Sequence, residues 1–254
     1  MPNTGPRMMK SKVKLYIYDI GTGTGDWASD FAEQHPEAKV IGTDVSPIQT
    51  ELMVANTEFL FEDCLEFWSF SPVSVEYIHM SWLFGSIDDW CALYKQAFAC
   101  LKPGGYLESH EASPLIRLKG CDSEVSSASA IHQWGNLFVE AGRRSQRSFT
   151  VVEDGLQAKA MKEAGFVDIQ DETLENPIGT WPQESEKRLI GQYSKLAMEE
   201  DLQGTINYVA HSVGWSWEET LVLSSQVRNE LQCPENKPYF LQRIVWGRKP
   251  SDSV

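Results

Sequence analysis

No stretch of this chain approaches the ~18 continuous apolar residues of a membrane-spanning helix. Its five cysteines, Cys64, Cys91, Cys100, Cys121 and Cys233, make no C-x-x-C pair and are odd in number. No secretory leader is read ahead of them, so they are expected as reduced thiols inside a cell. His35, His79, His110, His132 and His211 lack zinc-like spacing, and no metal is expected. Internal repeats and low-complexity tracts are not evident. Positive charge is scarce: 22 basic against 36 acidic residues leave a formal net charge of −14. That balance argues against non-specific nucleic-acid binding and against an anionic membrane surface. The one tight basic cluster, Arg143, Arg144 and Arg147, follows a helix-like stretch. It reads as cations at a helix C-terminus, or alternatively as a clamp for an anionic substrate. What remains is a soluble chain, expected in the cytoplasm with the nucleus as alternative. Its 254 residues suffice for one large α/β domain.

The run Asp19-Ile20-Gly21-Thr22-Gly23-Thr24-Gly25 carries the most information. Ahead of it, Val13, Leu15 and Ile17 alternate with Lys14, Tyr16 and Tyr18, the period of a strand. Behind it, Trp27, Ala28, Phe31 and Ala32 have helical spacing. A strand, a glycine turn and a helix let backbone N–H groups approach a nucleotide-like ligand without Cβ interference. The second strand, Lys39 to Asp44, ends in a carboxylate that can accept from both ribose hydroxyls of an adenosine. The third, Thr57 to Phe61, ends at Glu62-Asp63, and Asp63 can accept from an adenine amino group. In a parallel α/β sheet, ligands bind beyond the carboxyl ends of the strands, where all three signals fall.

A dinucleotide fingerprint would read G-x-G-x-x-G. Here the third glycine comes one residue early, at Gly25, and Asp26 would repel a pyrophosphate. Asp19 adds a second negative charge. Acidic groups around the loop suit a ligand bearing an ammonium and a sulfonium, which describes S-adenosylmethionine.

Strand and helix patterns alternate onward: a fourth strand at Ser74–Trp82, a helix at Ile87–Cys100 and a fifth strand at Tyr106–Ala112. A helix over Asp154–Ala164 stops at Gly165, and a sixth strand spans Phe166–Leu174. Pro182–Leu231 is largely helical, broken at Gly204 and Gly214. Ser216 with Glu219 forms a capping box there. Tyr239–Gly247 is the last strand. The domain expectation is a basic flexible arm over residues 1–12, a single domain over 13–250, and a short tail over 251–254. Residues 113–153 and 175–235 are helical additions expected on the substrate side.

Asp19 to Gly25, Val40 to Gln49 and Leu101-Lys102-Pro103-Gly104-Gly105-Tyr106-Leu107-Glu108 resemble class I S-adenosylmethionine-dependent methyltransferases. Asn176 to Pro182, Gly214 to Glu219 and Trp246 to Pro250 extend the resemblance to the fungal LaeA-like group of secondary metabolism. The resemblance implies a seven-stranded, Rossmann-like, mostly parallel sheet whose antiparallel last strand lies between the fifth and sixth. It implies S-adenosylmethionine as cofactor, contacted by Asp19, Gly21, Thr22, Gly23 and Gly25 in the loop. Asp44, Val45, Asp63 and Cys64 follow at the next strand ends. The group carries a helical segment before the first strand, where this chain shows only Met1 to Lys12.

Methyl transfer from a sulfonium needs alignment and water exclusion more than a base. Candidate bases are His110 and Glu111 at the end of the fifth strand. His110 alternates with Glu108, one of which is expected to face the cleft; a hydrogen-bonded strand-end histidine is the other reading. Trp82, Trp134 and Trp181 are candidates to line an aromatic substrate pocket, or else core residues. The leading expectation is a methyltransferase acting on a small molecule. A regulator acting through protein partners and a cofactor-binding enzyme of another reaction, such as a cyclisation, stay open.

Overall fold

The computed structural model describes residues 15–50, 54–120, 128–233 and 235–251. The expected arm, Val13 and Lys14 of the first strand, Cys121 and residues 252–254 lie outside them. Strand β1 (Leu15–Ile20) enters the glycine turn and helix α1 (Asp26–Gln34), followed by β2 (Ala38–Asp44), β3 (Thr57–Phe61) and β4 (Val75–Ser81). Helix α2 (Trp90–Cys100) leads into β5 (Leu101–Ala112), a two-residue β6 (Arg117–Leu118) and α3 (Ala130–Ser145). Next come α4 (Val151–Asp154), α5 (Leu156–Ala164) and β7 (Val167–Pro177). Helices α6 (Ser185–Ser212) and α7 (Trp217–Gln232) precede the closing β8 (Pro238–Arg248).

The sheet runs β3-β2-β1-β4-β5-β8, with β7 on the far side of β8. Strands β1 to β5 pair in parallel. Strand β8 is antiparallel to both β5 and β7, so the last strand lies where the resemblance placed it. One strand is additional to the seven expected. Arg117 and Leu118 pair with Tyr239 and Pro238 of β8, resuming the β5 edge after a break. Pro114 explains the break, because it has no N–H to give the ladder.

Helix α1 covers one face at β2 and β3, while α2, α4 and α5 pack on the other. Buried on both faces, β1 is apolar beyond strict alternation: Tyr18, on the expected polar side, lies in the same core as Ile78 and Leu107. A second core joins Trp134 and Phe138 of α3, Ile206 and Val209 of α6, and Leu223 and Val227 of α7.

Several boundaries move for local reasons. Asp89 accepts from Ala92 N at 2.9 Å and starts α2 at Trp90 rather than Ile87. The helix expected over Asp154–Ala164 splits at Gly155, φ +60°. The break in α6 falls at Asp201 (φ −131°, ψ 33°), not at Gly204. Asp201 Oδ1 accepts from Gly204 N at 3.2 Å, capping the second half of the helix. A Cβ on Gly204 would stand 2.1 Å from that oxygen, so the glycine admits the cap rather than making the break. Gly214 ends the helix as expected, and Ser216 and Glu219 close the capping box reciprocally. Arg143 and Arg144, in the last turn of α3, both pair with Glu140 at 2.8 and 2.7 Å, the helix-end reading of that cluster.

Candidate functional site: the carboxyl edge of the sheet

The turn after β1 is pinned from beneath. Gly21 N and Thr22 N both donate to Thr43 O at 2.9 Å, tying the loop to the end of β2. Gly25 (φ +83°) begins α1, and Phe59 of β3 fills the space where its Cβ would be, with Cζ 2.4 Å away. Gly23 is different. It is also left-handed, φ +56°, but nothing among the described residues stands within 4 Å of its missing Cβ. The loop is therefore packed below Gly25 and open above Gly23, which is where a ligand can meet backbone.

Asp44 closes β2 beside this opening. Its Oδ2 accepts from Gly23 N at 2.8 Å and its Oδ1 from Ser46 N at 2.9 Å. Gln49, unassigned from the sequence, donates its Nε2 to Gly23 O and Ser46 O, each at 2.8 Å. Val45 is exposed next to them. At the end of β3, Asp63 Oδ1 accepts from Leu65 N at 2.9 Å, and Trp68 Nε1 donates to Cys64 O at 3.0 Å. Glu62 N donates to Asp44 O at 3.1 Å, holding the two strand ends together. Burial, with Asp63 beside it, pushes the Cys64 thiol up to about 11. Cys64 is thus a thiol at neutral pH. Its alkylation rate with iodoacetamide is expected to reach half its maximum near pH 11 in the folded chain, against about pH 8.5 in the unfolded chain. Peptide mapping across that range checks this, and an early plateau would count against a buried Cys64.

Asp19 lies deeper than a ligand contact on an open loop. Its Oδ2 accepts from Thr22 Oγ1 at 2.6 Å, and its Oδ1 lies 2.7 Å from His79 Nδ1. Trp27 stacks on the His79 ring at 3.8 Å between centroids. Glu108 and His110 share one sheet face and bond to each other at 2.7 Å, so neither stands alone toward a cleft as expected. Burial pushes Glu108 up, but His110, His79 and Tyr77 more than offset it and leave the carboxyl below its ordinary value. Glu111 points to the opposite face. Burial pushes the carboxyl up to about 8 even though its oxygens accept from Leu83 N at 3.2 Å and Phe84 N at 2.9 Å, bonds that pull the other way. Glu111 holds the loop after β4 and is a positioning residue there.

The three tryptophans separate. Trp82 follows β4 at φ +58° and is 52% exposed, within ring contact of Phe84 and Phe240. Trp134 is 5% exposed in the helical core and donates to Pro114 O at 2.7 Å. Trp181 donates to Pro238 O at 2.9 Å, bracing the start of β8. Of the three, Trp82 is the exposed one, at the carboxyl end of β4, while Trp181 is half-buried beyond the end of β7. His79 was the residue sequence reasoning passed over; its signal was a histidine level with Asp19 and Glu108 on neighbouring strands.

A parallel sheet of this order with an antiparallel last strand, a left-handed glycine loop after β1 and an acidic end to β2 defines the class I methyltransferase architecture. The chain belongs to the methyltransferase domain family, whose profile matches residues 6–171. It is 30% identical over 236 residues to methyltransferase pytC of Aspergillus terreus, covering 92% of this chain and 71% of that one. It is equally 30% identical over 236 residues to the secondary metabolism regulator laeA of Aspergillus fumigatus, covering 91% of this chain and 62% of the relative. Among solved structures, its fold is similar to Haemonchus contortus phosphoethanolamine N-methyltransferase 2 in complex with S-adenosyl-L-methionine. There the TM-score is 0.56 at 20% identity, covering 95% of this chain and 50% of that one. No helix among the described residues is long and apolar enough to cross a membrane.

Proposed function

We propose that the chain binds S-adenosylmethionine over Gly23, with Asp44 on the ribose hydroxyls, and transfers its methyl group to a small-molecule acceptor of fungal secondary metabolism. The observation that carries this reading is the open, left-handed Gly23 beside a half-buried Asp44, within a family of methyltransferases. Asp63, Val45 and Cys64 line the adenine side in this proposal. Trp82 faces the acceptor, and residues 113–153 and 175–235 form its wall. The end of that first addition reaches the β4 loop, where Gly85 N donates to Ser148 O at 2.8 Å. Since His110 and Glu111 are both engaged within the protein, we assign the base role to neither. Transfer then proceeds by in-line alignment onto an acceptor that is soft or already ionised.

A second reading has its own support. Relatives carry the name of a regulator of secondary metabolism, and Leu189, Tyr193 and Leu196 expose an apolar stripe along α6. Such a stripe suits a protein partner. Isothermal titration with S-adenosylmethionine, S-adenosylhomocysteine and NAD separates the cofactors. Micromolar binding of the first two without NAD is expected. Failure of both sulfur compounds to bind would sink the enzyme reading and leave the partner-binding one.

A further inference from the structure

We propose that His79, Glu108 and His110 form a binding site for a divalent transition-metal ion, zinc by the chemistry of its donors. The three come from neighbouring positions on two parallel strands. His79 is paired in register with Glu108, and His110 stands two residues further along β5 on the same face. Each offers one donor atom, and these atoms lie within 4.8 Å of one another. Donor atoms of a tetrahedral zinc site stand roughly 3.4 Å apart, given bonds of about 2.0–2.1 Å, so small side-chain rotations close the set. Two imidazoles and a carboxylate suit zinc better than calcium or magnesium, which prefer oxygen.

Two unused atoms point to a ligand. Among the described residues, His79 Nε2 (residue 1% exposed) has no hydrogen-bond partner, and Glu108 Oε2 (residue 5% exposed) has none in bonding geometry, with only the Tyr77 hydroxyl pulling on its carboxyl. Orphaned polar atoms at such depth are costly unless something completes them. Asp19, 2.7 Å from His79 Nδ1, supplies the outer carboxylate that orients a metal-binding imidazole and leaves its Nε2 to the ion. Trp27 stacked on the ring fixes its plane. The cluster also holds two carboxylates, Asp19 and Glu108, in a buried region, and a divalent cation balances them. His110 is the most open of the three side chains and gives the ion its way in. Through Asp19 and Thr22 the site is wired to the glycine turn.

The test uses the whole chain, stripped with chelator and titrated with Co²⁺ as a spectroscopic stand-in for zinc. Visible ligand-field bands saturating at one ion per chain and erased by Zn²⁺ are expected. Glu108→Gln and His110→Ala should each abolish them. Asp19→Asn should weaken the affinity by roughly 10- to 100-fold, the usual effect of losing an outer-shell carboxylate. His211→Ala, at an exposed position of α6, should leave binding untouched. Zinc-edge X-ray absorption of the unaltered chain gives an answer that no variant's folding can confuse: nitrogen and oxygen donors with two imidazoles are expected. Sulfur donors, no saturable Co²⁺ spectrum, or a spectrum unmoved by Glu108→Gln would overturn the site.

Discussion

Asp44→Ala is expected to weaken S-adenosylmethionine binding by roughly 10- to 150-fold, the range of lost hydrogen bonds to a charged group, about 1.5–3 kcal/mol. The reason is double. The carboxylate is the acceptor proposed for the ribose hydroxyls, and it also holds Gly23 N and Ser46 N at 2.8 and 2.9 Å. Removing it takes away a ligand contact and frees two N–H groups that shape the loop. Asp44→Asn should fall between, because its amide oxygen can still accept one of them while its NH₂ faces the other donor. Titration calorimetry reads the affinity, and far-UV circular dichroism checks that the fold is kept. Asp44 is only half buried at a strand end, so its loss should leave global structure intact. Unchanged affinity in a folded Asp44→Ala chain would remove Asp44 from the site.

Gly25→Val is expected to destabilise the fold by roughly 2–5 kcal/mol. About 1–2 of that is the left-handed backbone imposed on a residue with a Cβ, and about 1–3 is overpacking against Phe59. For a chain of this size that lowers the melting temperature by roughly 4–20 °C. Gly23→Val should behave differently. Its φ of +56° brings the backbone strain, but no described residue stands within 4 Å, so the clash seen at Gly25 is missing. Its side chain would instead fill the opening above the loop, and loss of cofactor binding with a much smaller thermal shift is expected. A Gly25→Val, Phe59→Ala double variant should be less destabilised than the two single changes summed. Strict additivity would mean that Phe59 is not what Gly25 accommodates. If Gly23→Val bound S-adenosylmethionine normally, the ligand would have to lie elsewhere.

How far the chain could be read residue by residue depends on the range of the interaction. The glycine turn, the capping box at Ser216 and Glu219, and the stop at Gly165 were legible because each is closed by residues within a few positions. The succession of strands along the chain and the acidic ends of β2 and β3 followed from alternating patterns and the rule that ligands meet the carboxyl edge, while the place of the last strand in the sheet came from the family resemblance. Asp201 was missed because Gly204 is the louder signal, although it serves the cap that Asp201 makes. The roles of Glu111 and Trp134 were equally hidden. One is spent on Leu83 and Phe84, the other on Pro114, and nothing in their neighbours announces those partners.

The sequence by itself determined a glycine-turned α/β chain of the methyltransferase kind, with carboxylates in place along one edge, because turn chemistry and hydrophobic period are local properties. Tertiary structure alone decided that the space above Gly23 is open while that above Gly25 is filled. It alone set Asp19, His79, Glu108 and His110 into one buried cluster. Those four lie between positions 19 and 110 and meet through the register of three parallel strands. Register is fixed by packing across the sheet, so no spacing along the sequence could have shown it.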